Sequence, residues 1–348
     1  MTLAFTPACR PMLRGGLPHE SAQAALALLF TATPALPAWP VAPQRSGRDA
    51  ALLQAATGFP GLQIEFERIA IDRATVEQGM DRLELAYLRD ERSIGALAAD
   101  QTAGLAELLR YAESRKPQAL KAELLGPISL GLMLVDEHER PLAYDPALRE
   151  ALLHHLALRL GWLHEQLSFQ GGKALICIDE PFLSGLELPF APLDHDESFD
   201  LLGRFLSTLP GSIGLCIDTT PVWPDLLALP VDLVVFNAYE HSADLVPVAA
   251  AVAGYLDRGG CLGWGIVPAD PAALTRERTE TLTRRFISAV DHLAAAANLT
   301  TQRIIEAALI TTSASLAALS VEQAETALHL CAAVAHAVRE TYGLTEDS

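Results

Sequence analysis

The run Ala174-Leu175-Ile176-Cys177-Ile178-Asp179-Glu180-Pro181 sets two adjacent carboxylates and a proline directly after an apolar stretch. Two such acids can hold a cationic group, or one can work as a general acid or base; their structural alternative is to cap a strand end and bind a neighbouring arginine or backbone. A second constellation is Cys216-Ile217-Asp218. A spacing of two puts both side chains on one face of a strand, where both can ligate a metal. A thiol is a nucleophile only if its pKa is lowered, and a neighbouring carboxylate raises it; a core Cys beside a loop-facing Asp is the alternative. His19 follows Gly15-Gly16 and points either into a site or into the first turn of a helix. His241 follows Tyr239-Glu240 and could join Cys216 and Asp218 from a loop. Trp39, Trp223 and Trp264 lie at or near strand ends, to stack on a flat ligand or to fill core layers. Lys121 lies inside a strand and needs a partner there; Glu123 on the same face is the obvious one. His154, His155 and His164, off or at the edge of a leucine stripe, read as solvated.

The elements that position these residues follow from the apolar pattern. A continuous apolar strand is buried on both faces, as in a parallel sheet, and Pro181 ends its ladder. Ala119–Leu125 reads as a strand ending at Gly126-Pro127. Asp145-Pro146 opens a long helix, with Asp as N-cap and Pro at the first position. Leu148, Leu152, Leu156, Leu160, Leu163 and Leu167 make its apolar stripe, and Gly171-Gly172 closes it. Further strands are predicted at Ile213–Ile217, Leu233–Phe236, Cys261–Ile266 and Ala307–Ile310, separated by helices near 196–208, 222–229, 243–257 and 275–297. Ser320 and Gln323 form a capping box for a last helix. With Leu3–Phe5 and Leu36–Trp39 upstream, the alternation predicts an α/β fold of the (β/α)8 TIM-barrel type spanning 1–348, with a mainly helical insertion over 48–117 that holds a short hairpin around Gly61–Ile71. An open doubly wound sheet is the runner-up; no glycine-rich dinucleotide fingerprint follows an early strand. Active sites of such folds lie at the carboxyl ends of the strands, where Asp179 and Glu180 stand.

A formal charge of −18 disfavours nucleic acid as a partner. The five cysteines are scattered and form no CxxC pair, which fits a reduced, cytoplasmic setting. Neither a signal peptide nor an apolar run of membrane-spanning length is evident, so no membrane partner is expected.

Several segments, in order, resemble the catalytic barrel of cobalamin-independent methionine synthase, in a superfamily with uroporphyrinogen decarboxylase. They are Gly15-Gly16-Leu17-Pro18-His19, Leu125-Gly126-Pro127-Ile128-Ser129, Ile178-Asp179-Glu180-Pro181, Phe236-Asn237-Ala238-Tyr239, Trp264-Gly265-Ile266-Val267-Pro268 and Leu309-Ile310-Thr311-Thr312-Ser313. The chain is similar to short, single-barrel relatives, some of which take methyl groups from corrinoid proteins. The resemblance implies methyl transfer involving a small thiol, with zinc holding the thiolate and the first acid, here Asp179, holding the substrate's amino group. On that basis Asp179, Cys216 and Asp218 are the catalytic candidates, and Gly16, His19, Glu180, Asn237, Tyr239 and Trp264 the substrate-binding ones. The sequence departs from the family at the metal. Its His-x-Cys pair falls on Cys216-x-Asp218, its acid on Asn237 and its last cysteine on Ala314, and Gly16 replaces a serine that contacts the amino-acid carboxylate. Cys216 and Asp218 are the residual ligand candidates, and no cofactor is firmly expected. Two alternatives remain open. One is a ligand-binding barrel without catalysis. The other is a metal-free enzyme like uroporphyrinogen decarboxylase, for whose acidic substrate only Arg10 and Arg14 are offered near the N-terminus.

Overall fold

In a computed structural model the described residues are 3–40, 47–64, 69–98, 101, 102, 104–168, 171–187, 193–218 and 222–344. The main sheet contains β1 (Arg10–Pro11), β4 (Leu120–Leu125), β6 (Ala174–Asp179), β7 (Ser212–Cys216), β8 (Leu233–Phe236), β9 (Cys261–Val267) and β10 (Ala308–Thr312). A smaller sheet contains β2 (Leu62–Ile64), β3 (Ile69–Ile71) and β5 (Val135–Asp136). The helices are α1 (Ala22–Ala32), α2 (Gly47–Ala56), α3 (Arg73–Leu88), α4 (Leu105–Arg115), α5 (Pro127–Met133), α6 (Pro146–Leu167), α7 (His195–Thr208), α8 (Trp223–Ala228), α9 (Ala238–His241), α10 (Ala249–Asp257), α11 (Pro271–Leu274), α12 (Thr279–Ala297), α13 (Thr301–Glu306) and α14 (Val321–Thr341). None of them is long and apolar enough to cross a membrane.

The main sheet has seven strands in the order β1-β10-β9-β8-β7-β6-β4, and every pairing is parallel. It is strongly curled. In a flat sheet with strands ~4.8 Å apart, β1 and β4 at opposite edges would stand nearly 30 Å from each other. Instead the Gly15 amide, beyond β1, donates to Glu123 Oε1 on β4 over 2.8 Å. The inner face closes around Met12, Leu36, Ala119, Leu175, Cys177, Cys216, Leu233, Val235, Cys261 and Leu309. The structure is therefore a curled parallel half-barrel of the TIM type. The eighth strand expected at Leu36–Trp39 is reduced to one bridge, Ala38 to Lys121, with Trp39 N donating to Lys121 O. No pairing among the described residues joins it to β1.

The expected strand at Leu3–Phe5 is not one. Ala8 and Cys9 adopt positive φ (43° and 54°), a kink that breaks an extended run, and the first strand begins after them at Arg10. Leu3 and Phe5 are buried against the inner-face cluster, and Ala4 N donates to Ser212 Oγ at the start of β7. This segment plugs the amino-terminal end of the barrel.

Local rules explain the outer layer. Asp145 Oδ1 accepts from Ala147 N and Leu148 N and caps α6, whose leucine stripe is buried. Ser320 and Gln323 form the capping box of α14. Between α1 and β4 lie α2, α3, α4 and the antiparallel pair β2–β3, extended by β5 parallel to β3. His155 and Arg159 of α6 fasten this region. His155 Nε2 meets Ala55 O at 2.9 Å, and Arg159 donates to Gln54 O and Thr57 O, so two side chains satisfy the carbonyls at the α2 terminus.

Candidate functional site at the carboxyl end of the sheet

Strand alternation decides which residues face inward. Lys121 and Glu123 on β4, Cys177 and Asp179 on β6, and Cys216 on β7 share the inner face, and Asp218 lies two residues beyond Cys216. Deepest is the buried pair of Lys121 Nζ with Glu123 Oε2, the partner expected from the sequence. Above it sits Arg14, which is 1% exposed. Its guanidinium donates to Ser313 O (2.5 Å), Ile217 O (2.7 Å) and Asp218 Oδ1 (2.6 Å), tying the end of β1 to those of β7 and β10.

Asp179 is half-buried among these groups. Burial pushes its carboxyl well above the usual range, the charges of Glu123, Asp218 and Glu180 add to this, and Arg14 opposes it. From the deep Lys121–Glu123 pair up to the opening, two cations (Arg14, Lys121) stand among three carboxylates (Glu123, Asp179, Asp218). The arrangement lacks one positive charge, which a proton on Asp179 or a cationic ligand group would supply.

Glu180 has a different place. It is fully buried, and its Oε1 and Oε2 accept from Ile128 N (2.9 Å) and Ser129 N (2.7 Å). These are open amides of the first turn of α5, whose N-cap is Gly126 and has no side chain to offer them. A Cβ at Gly126 would lie 2.2 Å from Glu180 Oε1, so the glycine makes room for the acid. Gly126-Pro127-Ile128-Ser129 and Asp179-Glu180-Pro181 are thus two halves of one interlock. Burial holds the Glu180 carboxyl up at about 7 against the pull of its donors.

The other candidates disperse. Cys216 is completely buried; a hydrogen bond with Cys177, then burial, push its thiol well up, so it is no ready nucleophile. Asp218 is half-exposed and pairs with Arg14. Gly16 N donates to Ser315 Oγ, with the residue partly exposed at the opening. His19 is buried; its Nε2 lies 3.4 Å from Glu325 Oε1, and its Nδ1 has no hydrogen-bond partner. Asn237 caps α9, accepting from Glu240 N and donating to Glu240 Oε2. The Tyr239 hydroxyl donates to Glu277 Oε1, and Arg285 lies over its ring at 4.2 Å. Trp264 is wholly buried on the opposite face of β9, against Phe236 and Phe286. Trp223 is likewise buried, edge-on to Phe236. His241 turns to Asp244, away from Cys216. Arg10 donates to Thr6 O. The sequence reading passed over Arg14 as an organiser and Glu123 as a site residue. Strand alternation turns Glu123 inward beside Cys177, whereas Arg14 lies beyond the end of β1 and its partners come into reach only through the curl of the sheet.

The resemblance implies a metal at Cys216, Asp218, Asn237 and the Ala314 position, and the residues do not fit one. Cys216 engages Cys177, Asp218 is held by Arg14, the Asn237 oxygen caps a helix, and Ala314 has no donor atom. Such sites need three or four converging ligands.

Scans of the sequence against protein-family models and against curated proteins find no match. Similar folds occur among solved structures. A methyltransferase from Methanosarcina mazei aligns over 97% of this chain and 94% of its own at 14% identity, with a TM-score of 0.58. A B12-independent methionine synthase from Shewanella sp., in complex with selenomethionine, aligns over 70% of this chain and 68% of its own at 15% identity, with a TM-score of 0.49. A GH113 β-mannanase from Alicyclobacillus acidocaldarius covers 72% of this chain and 81% of its own at 14% identity, with a TM-score of 0.38. The first of these extends over nearly the whole of both chains, and at such identity the likeness is one of fold: this chain has the barrel-like architecture that a methyltransferase also uses.

Proposed function

We propose that the chain is a methyltransferase that moves a methyl group to or from a small thiol bearing an amino group, bound at the carboxyl end of the sheet. The observation that carries this reading is the half-buried Asp179 in a cluster short of one positive charge. A ligand ammonium would complete the charge balance and hold Asp179 ionised. In this reading Asp179 binds and orients the ammonium, and Arg14 fixes Asp218 and the strand ends so that the acid has a defined position. Gly16, partly exposed at the opening after β1, borders the ligand. Glu180 acts indirectly by fixing the turn that carries Asp179. Cys216 enters no step, since its thiol is buried and protonated, and no step runs through a metal at the family's ligand positions. The methyl donor fits either a small molecule or a methylated corrinoid protein docking at the barrel opening.

The test is ligand binding and turnover together. Homocysteine, a small amino thiol, and methionine, its S-methyl form, are expected to raise the melting temperature of the wild type and leave Asp179→Asn unmoved. Methyl transfer from methylcobalamin or a methylated corrinoid protein, followed by mass spectrometry of the thiol, is the catalytic arm. Binding with no turnover from any donor would favour the ligand-binding barrel without catalysis. Absence of binding would remove the proposal.

A further inference from the structure

We propose that Glu123, Cys177 and Cys216 form a site for a thiophilic divalent metal ion of the zinc type, inside the barrel beneath the cluster around Asp179. The three residues come from adjacent strands. In the sheet register Glu123 of β4 stands opposite Cys177 of β6, and Cys216 of β7 stands opposite Asp179, one inward position further along. Their carboxylate oxygen and two sulfurs all lie within 4.8 Å of one another. Ligands of one tetrahedral zinc ion, at ~2.3 Å for sulfur and ~2.1 Å for oxygen, stand roughly 3–4 Å apart. The three donors thus already lie within about 1–2 Å of the spacing that one tetrahedral ion requires. Two thiolates and one carboxylate select zinc-like ions over magnesium or calcium.

Two further features suit a metal. The carboxylate is already oriented, with Gly15 N on Oε1 at 2.8 Å and Lys121 Nζ on Oε2, as outer hydrogen bonds orient ligating groups in metal sites. The charge also balances. Lys121 and Glu123 form an ion pair whose charges cancel. A divalent ion that replaces the two thiol protons leaves the net charge of this buried region unchanged, and the two protons pass to solvent. The set shares only Cys216 with the positions that the methionine-synthase resemblance would use, and it stands independently of the proposed methyl transfer.

The test uses the full chain, stripped with a chelator under reducing conditions and titrated with Co²⁺, a spectroscopic stand-in for zinc. The expected result is about one Co²⁺ per chain, with thiolate-to-cobalt charge-transfer absorption that Zn²⁺ abolishes by displacement. Cys177→Ser and Cys216→Ser should each remove the absorption, and Glu123→Gln should weaken binding at least about tenfold. Cys331→Ser, in α14, and Asp179→Asn should keep it, so failure of the substrate proposal would leave this result intact. X-ray absorption of zinc-loaded wild type covers the case in which a serine variant misfolds; it should count two sulfur neighbours at ~2.3 Å. No charge-transfer band in the wild type, a band that survives both serine substitutions in a folded chain, or a zinc ion without two sulfur neighbours would overturn the site.

Discussion

Replacing Glu180 with glutamine should change how stability depends on pH. The carboxyl is fully buried, and its folded-state pKa is about 7 against 4.5 for the free side chain. A raised carboxyl pKa means that the native state holds the proton more tightly than the unfolded chain. The stability it contributes is therefore complete below about pH 4.5 and is lost as pH rises through about 7. At ~1.36 kcal/mol per pH unit, the gap amounts to about 3 kcal/mol. Glutamine does not titrate. Urea unfolding of wild type and Glu180→Gln from about pH 4.5 to about pH 8 isolates the term, because the other titrating groups largely cancel in the difference. The stability of the wild type relative to the variant should fall by about 3 kcal/mol across that range. A difference that stays level, or rises with pH, would show that the two amide donors of α5 outweigh desolvation and would refute the reasoning.

Gly126→Ala should cost about 3 kcal/mol or more, since Glu180 is tied at both oxygens and cannot move aside for the new Cβ; denaturation midpoints read it, and a neutral result would break the interlock argument. Arg14→Met strips partners from Ser313 O and Ile217 O as well as from Asp218, and should cost about 3–5 kcal/mol. Lys121→Met leaves Glu123 charged inside the barrel and should cost about 3–5 kcal/mol, much of which Lys121→Met with Glu123→Leu recovers; a double variant as unstable as the sum of its parts would argue against a coupled pair.

Much of the architecture was legible because it rests on local pattern. Ala174–Asp179 is apolar throughout and is a central parallel strand, and the leucine stripe with Asp145-Pro146 gives α6. The first strand was misplaced because Leu3 and Phe5 look like a strand while serving as a plug, and the kink at Ala8 and Cys9 has no glycine to announce it. In the site, Lys121 and Glu123 were readable from two-residue alternation. Trp264 was not placed correctly by its nearness to a strand end. Its neighbour Gly263 pairs with the inward Val235, so alternation turns Trp264 outward onto Phe286. Asp179 and Glu180 are adjacent in sequence and so face opposite ways, one to the opening and the other to α5. The role of Arg14 depends on contacts nearly 300 and about 200 residues away, which only the closed curl supplies.

The most direct measurement of the central claim is calorimetric binding of homocysteine and of its N-acetyl derivative to wild type and Asp179→Asn. The account predicts that homocysteine binds the wild type, that N-acetylation abolishes binding by removing the ammonium, and that Asp179→Asn weakens homocysteine by about tenfold or more. Equal affinity for the two ligands, or unchanged affinity in the folded Asp179→Asn protein, would contradict it.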